Sequence, residues 1–207
     1  MQDLLTFLGA SPSRFHAVEN LCHTLDGAGY TRLSEGRAWE LAPGGKYYVT
    51  RNGSALLAFR VPRKDFTGFM ISASHSDAPG FRVKENAELT GPDGYVRLNV
   101  ERYGGMLCAP WLDRPLTVAG RVLVRTGDAI ETRLVYVDKD LLLIPNVAVH
   151  MNRAANDGFK YDAKCDTIPL MGLEGTKGSF RAIVAKAADC KEEDILGTDL
   201  FLCIRQK

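Results

Sequence analysis

Hydrophobic positions change their spacing once, near residue 30. Before it they recur at helical intervals. Leu4, Leu5, Phe7 and Leu8 form a short apolar stretch broken by Gly9 and Pro12. Phe15, Val18, Leu21, Cys22 and Leu25 then mark one face of a second helix, with Ser11 or Ser13 as its N-cap and Gly27 and Gly29 at its end. From Tyr30 onward the period is two. Residues 46–50 and 54–61 alternate on either side of Arg51-Asn52-Gly53, and Asn-Gly between such runs predicts a hairpin. Phe69-Met70-Ile71-Ser72-Ala73 is continuously apolar, which predicts a strand covered on both faces. A further strand is expected over residues 81–84.

Residues 85–94 are polar and contain the turn chemistry Pro92-Asp93-Gly94. They divide the chain into an expected α/β unit, residues 1–89, and a β-rich unit, residues 90–207. In the second unit the pattern predicts strands over 95–100, 116–125, 131–137 and 141–144, two of them joined by Thr126-Gly127-Asp128 as a hairpin. Residues 146–150 are a short apolar piece, 153–166 a loose polar stretch, 179–188 a helix and 198–204 a last strand. No internal repeat or low-complexity tract interrupts this order. The predicted class is therefore α/β: an α/β unit joined to a mostly β unit.

Composition narrows the partners. A chain of 207 residues with 45% hydrophobic and 25% charged residues can build one or two ordinary domains and is neither disordered nor collagenous. Lys and Arg number 26 against 25 Asp and Glu, so a formal charge of +1 supplies no electrostatic footprint for nucleic acid or an anionic membrane. No apolar run approaches the roughly 20 residues that cross a bilayer. The start, Met1-Gln2-Asp3-Leu4-Leu5, has neither the basic region nor the apolar core of a signal peptide. A cytoplasmic location is the expectation. Five cysteines, an odd number without a CxxC pair, argue for reduced, mostly packed thiols rather than a disulfide framework or a structural zinc site. His16 and His23 share a helix face and are expected as a half-exposed surface pair, since no carboxylate or cysteine stands at chelating spacing.

The sharpest chemistry is His75-Ser76-Asp77, directly after the apolar run and before the turn-forming Pro79-Gly80. Side chains two residues apart on an extended chain address the same side. A neutral imidazole ligates metals, and a carboxylate can fix its tautomer from behind. Alone, the triplet fits a hydrogen-bonded structural pair more readily than a metal site.

Longer blocks carry more. Ile71-Ser72-Ala73-Ser74-His75-Ser76-Asp77-Ala78-Pro79-Gly80-Phe81-Arg82-Val83-Lys84 resembles the aspartyl aminopeptidase family of co-catalytic zinc peptidases. So do Tyr103-Gly104-Gly105, Trp111-Leu112-Asp113-Arg114-Pro115-Leu116-Thr117-Val118-Ala119-Gly120-Arg121-Val122, and Ile144-Pro145-Asn146-Val147-Ala148-Val149-His150-Met151-Asn152-Arg153, in the same order. Phe7-Leu8 and Ser11-Pro12-Ser13-Arg14-Phe15-His16-Ala17-Val18 are similar to the opening helices of that family. The resemblance implies part of an α/β zinc-aminopeptidase catalytic domain into which a mostly β dimerisation domain is inserted. It implies that His75 binds one of two zinc ions, that Asp77 orients His75, and that His150 reaches a neighbouring subunit's active site to polarise the scissile carbonyl. It further implies a peptide substrate with an acidic N-terminus and a homo-oligomer.

Asp113 and Arg114 are expected as a local structural pair at the start of the strand from Leu116, and Lys191-Glu192-Glu193-Asp194 as a solvated helix end. A pair of zinc ions about 3.5–4 Å apart needs about five protein ligands and a general base. In the family the bridging aspartate, the Glu-Glu pair and a late histidine follow the last strand seen here. The expectation is therefore an N-terminal portion that is inactive alone and supplies one zinc ligand. The alternative is a truncated, non-catalytic assembly module.

Overall fold

The computed structural model describes residues 2–205. Two helices open the chain, α1 (Gln2–Gly9) and α2 (Arg14–Gly27). Of the two candidate caps, Ser13 is the one used: it is extended and its hydroxyl accepts from the His16 backbone N–H. Asn20 on α2 donates to Ala10 O at 2.9 Å and to Ser11 Oγ at 3.1 Å, tying the link between the helices to the second of them. The buried side of α2, Val18 and Cys22, packs with Tyr48 into a small core. Tyr48 comes from a three-stranded sheet in the order β1 (Thr31–Arg32), β2 (Lys46–Arg51), β3 (Ala55–Arg60). The hairpin between β2 and β3 turns at Asn52 and Gly53, with φ of 55° and 61°, the left-handed pair that Asn-Gly supplies at little steric cost.

The apolar run at 69–73 departs from expectation. It forms no strand, and Phe69, Met70 and Ile71 are 82%, 104% and 84% exposed. A strand exists only through the ladders on its edges, and among the described residues no strand pairs with this run. Hydrophobicity alone does not satisfy its backbone groups.

The chain divides into compact units at Met1–Ala78 and Pro79–Lys207. The second is built on a six-stranded sheet from β4 (Gly80–Thr90), β5 (Tyr95–Tyr103), β6 (Leu116–Thr126), β7 (Ala129–Tyr136), β8 (Leu170–Leu173) and β9 (Ile195–Ile204). Their order across the sheet is β7-β6-β9-β4-β5-β8. The division thus lies upstream of residue 90, where composition changes. Phe81 and Val83 of β4 sit in the core of the second unit, and β4 pairs with both β5 and β9. The polar stretch from Glu85 is not a linker but a continuation of β4 through a register shift between Val83 and Glu88. The turn at Pro92-Asp93-Gly94 is present, with Asp93 and Gly94 at φ of 53° and 75°.

Elsewhere the period-two reading meets its limits at short elements. Residues 142–144 make only isolated bridges, to Leu116, Leu170 and Leu112, instead of a continuous ladder. The edge strand β8 carries no alternation that would mark it in advance. One face of the sheet, with Leu98, Leu116, Val118, Val122 and Leu200, packs against Phe180 and Val184 of α3 (Ser179–Ala187). At Gly120 on β6 the backbone of β9 leaves no room for a side chain: a Cβ there would lie 2.1 Å from the Asp199 carbonyl oxygen. The first turn of α3 has no cap from its own Gly178. Instead Glu88 of β4 accepts from the backbone N–H groups of Gly178 and Phe180, at 2.5 and 2.7 Å.

Candidate functional site

In the first unit the segment before Pro79 forms no strand and bends at Ser76, and His75 and Asp77 meet across that bend. His75 Nδ1 lies 2.9 Å from Asp77 Oδ1. A carboxylate only accepts, so Nδ1 carries the ring proton and the Nε2 lone pair points away from Asp77. The His75 side chain is 92% exposed while that of Asp77 is 25% exposed, so the imidazole is offered to solvent on a carboxylate that is itself held. Arg14 and Ser76 both contribute to the holding. Arg14, the first residue of α2, places Nη1 3.8 Å from Asp77 Oδ2. Ser76 between them donates its hydroxyl to Ser54 O at 2.7 Å, fixing the segment to the end of the β2–β3 hairpin. Neither Arg14 nor Ser54 stands out in the sequence as a site residue; the signal available was Arg14's place in the opening Ser-Pro-Ser-Arg block.

The donor set suits zinc as far as it goes. One neutral imidazole nitrogen with a carboxylate behind it is a zinc ligand with its supporting group. Among the described residues no three His, Cys, Asp or Glu side chains converge to hold a metal ion. His75 could supply one donor, and the described residues do not complete a site around it.

His150 belongs to the second unit. It is exposed and occupies a tight turn closed by Met151 N donating to Ala148 O at 2.8 Å. The other two histidines behave differently from one another. His23 is 70% exposed beside Glu19. His16 is half-buried, its Nδ1 2.8 Å from the Ser13 hydroxyl, and burial lowers its pKa below the usual value. His16 has the half-exposure expected of it, while His23 is more exposed than expected.

All five cysteines are free thiols. Burial raises the Cys22 and Cys190 pKa values and pushes that of Cys203 up to about 12, so these three are packed thiols and poor nucleophiles. Cys165 is exposed. Asp113 sends its carboxylate to the backbone N–H of Asn146, at 2.8 Å, a contact across the chain that spacing did not anticipate. No helix among the described residues is long and apolar enough to cross a membrane.

Known proteins match along this whole arrangement. The Aminopeptidase I zinc metalloprotease (M18) family matches residues 7–207. "Probable M18 family aminopeptidase 2" of Clostridium acetobutylicum is 42% identical over 207 aligned residues, covering 96% of this chain and 48% of its own length. Among solved structures, one chain of the cryo-EM structure of the Ape4 and Nbr1 complex superposes with a TM-score of 0.93 at 32% identity, covering 100% of this chain and 44% of that one. The mApe1 dodecamer of S. cerevisiae superposes with a TM-score of 0.76 at 28% identity, covering 100% of this chain and 48% of that one. The chain thus spans about half the length of the relatives it matches. With the His75–Asp77 pair in place and the family's model matching from residue 7 onward, this chain belongs to the M18 aminopeptidase family of zinc metalloproteases.

Proposed function

We propose that these residues serve a cytoplasmic, homo-oligomeric zinc aminopeptidase that removes acidic residues, Asp or Glu, from peptide N-termini. The first unit belongs to its catalytic domain, and the β-rich unit carries the contacts between subunits. The observation that bears most weight is the His75–Asp77 pair, 2.9 Å apart with Nε2 free toward solvent. His75 would hold one of two zinc ions through Nε2. Bound zinc supplies Lewis acidity and an activated water near neutral pH.

Each residue of this chain has a share that does not depend on further geometry. Asp77 keeps the proton on Nδ1 and raises the basicity of Nε2. Arg14 stands beside the second carboxylate oxygen and helps keep Asp77 in place. His150, exposed at the tip of its turn, is suited to leave its own subunit's surface and donate a hydrogen bond to the substrate carbonyl of a neighbour. The remaining ligands and the general base are contributed by residues other than those described, which makes the isolated chain inactive on this reading. The dodecameric relative supports an oligomer.

The test is release of the N-terminal residue from Asp-, Glu- and Leu-p-nitroanilides by the protein purified from its source cells. Asp and Glu substrates should be cleaved faster than Leu, and a chelator should abolish cleavage of all three. Faster cleavage of Leu overturns the acidic preference, and indifference to the chelator overturns the zinc mechanism. His150→Ala should lower kcat by about 100-fold or more, the range for a lost oxyanion donor. Its exposure predicts an unchanged Tm. Unaltered kcat removes His150 from the mechanism.

A further inference from the structure

We infer that Asp113 is a positioning residue for His150, a role that rests on the reading of His150 given above. Asp113 stands at φ 57°, in the left-handed region that Asp, Asn and Gly tolerate and other residues resist. In that conformation its backbone N–H donates to Ile144 O at 2.9 Å, while its carboxylate Oδ1 accepts from Asn146 N at 2.8 Å. One residue therefore grips the chain on both sides of Pro145.

What it grips is the root of the His150 segment. Ile144 is fully buried and bridges to Leu112 in parallel, so it is the last point fixed by the core. Beyond it Val147, Val149 and His150 are all exposed. Asn146 Oδ1 accepts from Val147 N at 2.9 Å, and the turn that carries His150 closes between Ala148 and Met151. Between the buried Ile144 and this self-closed turn, the Asp113 carboxylate is a side-chain contact from a distant part of the sequence, placed to set the direction in which the segment leaves the sheet. A donor that must meet a substrate carbonyl loses effectiveness when its support loosens, because the geometry has to be in place before the charge develops.

Three substitutions separate the parts of this role. Asp113→Asn keeps both the tolerated backbone and an acceptor oxygen. Asp113→Gly keeps the backbone freedom and loses the acceptor. Asp113→Ala loses both. Hydrogen exchange on the 207-residue chain, read by NMR at the Asn146 amide, should accelerate about two- to tenfold in Asp113→Gly, the worth of one hydrogen bond, and change less than twofold in Asp113→Asn. In the enzyme purified with its remaining parts, Asp113→Gly should lower kcat by a similar factor with KM unchanged. Asp113→Asn should restore it, and Asp113→Gly added to His150→Ala should cost nothing further. Unchanged Asn146 exchange in Asp113→Gly overturns the anchoring. If His150→Ala lowers kcat and Asp113→Gly does not, the positioning role alone falls. If His150→Ala leaves kcat intact, the role assigned to His150 falls and the positioning role falls with it.

Discussion

Removing the Glu88 carboxylate should destabilise the second unit by about 2 kcal/mol, although Glu88 lies on a strand and far in sequence from the helix it serves. Helix α3 begins at Gly178, which stands at φ 84° and offers no side chain to its own first turn. Glu88 fills that place with both carboxylate oxygens: Oε2 accepts from Gly178 N and Oε1 from Phe180 N. A hydrogen bond to a charged acceptor contributes roughly 1.5–3 kcal/mol where water is excluded, and the positive end of the helix dipole adds to it. Glu88 is only half-buried, so water recovers part of each bond, which reduces the sum of the pair to about 2 kcal/mol. The donor at Phe180 matters more, because that residue is 4% exposed and anchors α3 in the core. Fraying of the first turn would uncover it. Glu88→Gln keeps one acceptor oxygen and should lose about half as much. Urea denaturation of the full chain, followed by far-UV circular dichroism at constant m-value, measures both. For a unit of this size the thermal midpoint should fall by roughly 8 °C in Glu88→Ala. If both variants unfold within 0.5 kcal/mol of wild type, about the scatter of a surface substitution, the capping argument is wrong.

Gly120→Ala should cost about 3 kcal/mol or more, since the new Cβ would meet the Asp199 carbonyl oxygen at 2.1 Å and force β6 from β9; a urea midpoint equal to wild type would show that the strands yield without penalty. His16 gives a pH dependence. Burial lowers its folded pKa below 6.5, so the unfolded chain takes up the proton first as pH falls. Its contribution is complete above the unfolded value and declines as pH drops through 6.5 toward the folded value; His16→Gln should flatten that part of the stability profile, and an unchanged slope would assign it to other groups. Zinc binding by the isolated chain should be weak, leaving less than one equivalent after dialysis, because one imidazole does not make a tetrahedral site. Stoichiometric zinc by elemental analysis would reveal ligands that His75 and Asp77 do not account for.

Much of this was legible locally. The face with Val18 and Cys22, the Asn52-Gly53 turn, the strands around Val100, Val118 and Val135 and the helix at Phe180 each follow from a period or a dipeptide. The two-residue spacing of His75 and Asp77 pointed to one shared side, and the two do meet, although across a bend at Ser76 rather than along a strand. The run from Phe69 shows where such reading stops. Its residues carry every preference of a buried strand, yet they lie exposed, because pairing needs partners and apolar character cannot provide them.

By itself, then, the sequence determined the α/β class, most of the elements, and the oriented histidine, all of which depend on neighbours a few residues away. Tertiary structure alone decided what depends on distance along the chain. It carried β4 past its polar bulge into the second unit's sheet, brought Glu88 to the start of α3, drew Arg14 to Asp77, and set Asp113 against Asn146. The last three are polar contacts between segments whose separation leaves no periodic trace. A hydrogen bond is short-ranged and directional, so which groups share one is settled only when the core has packed and fixed the backbones that carry them.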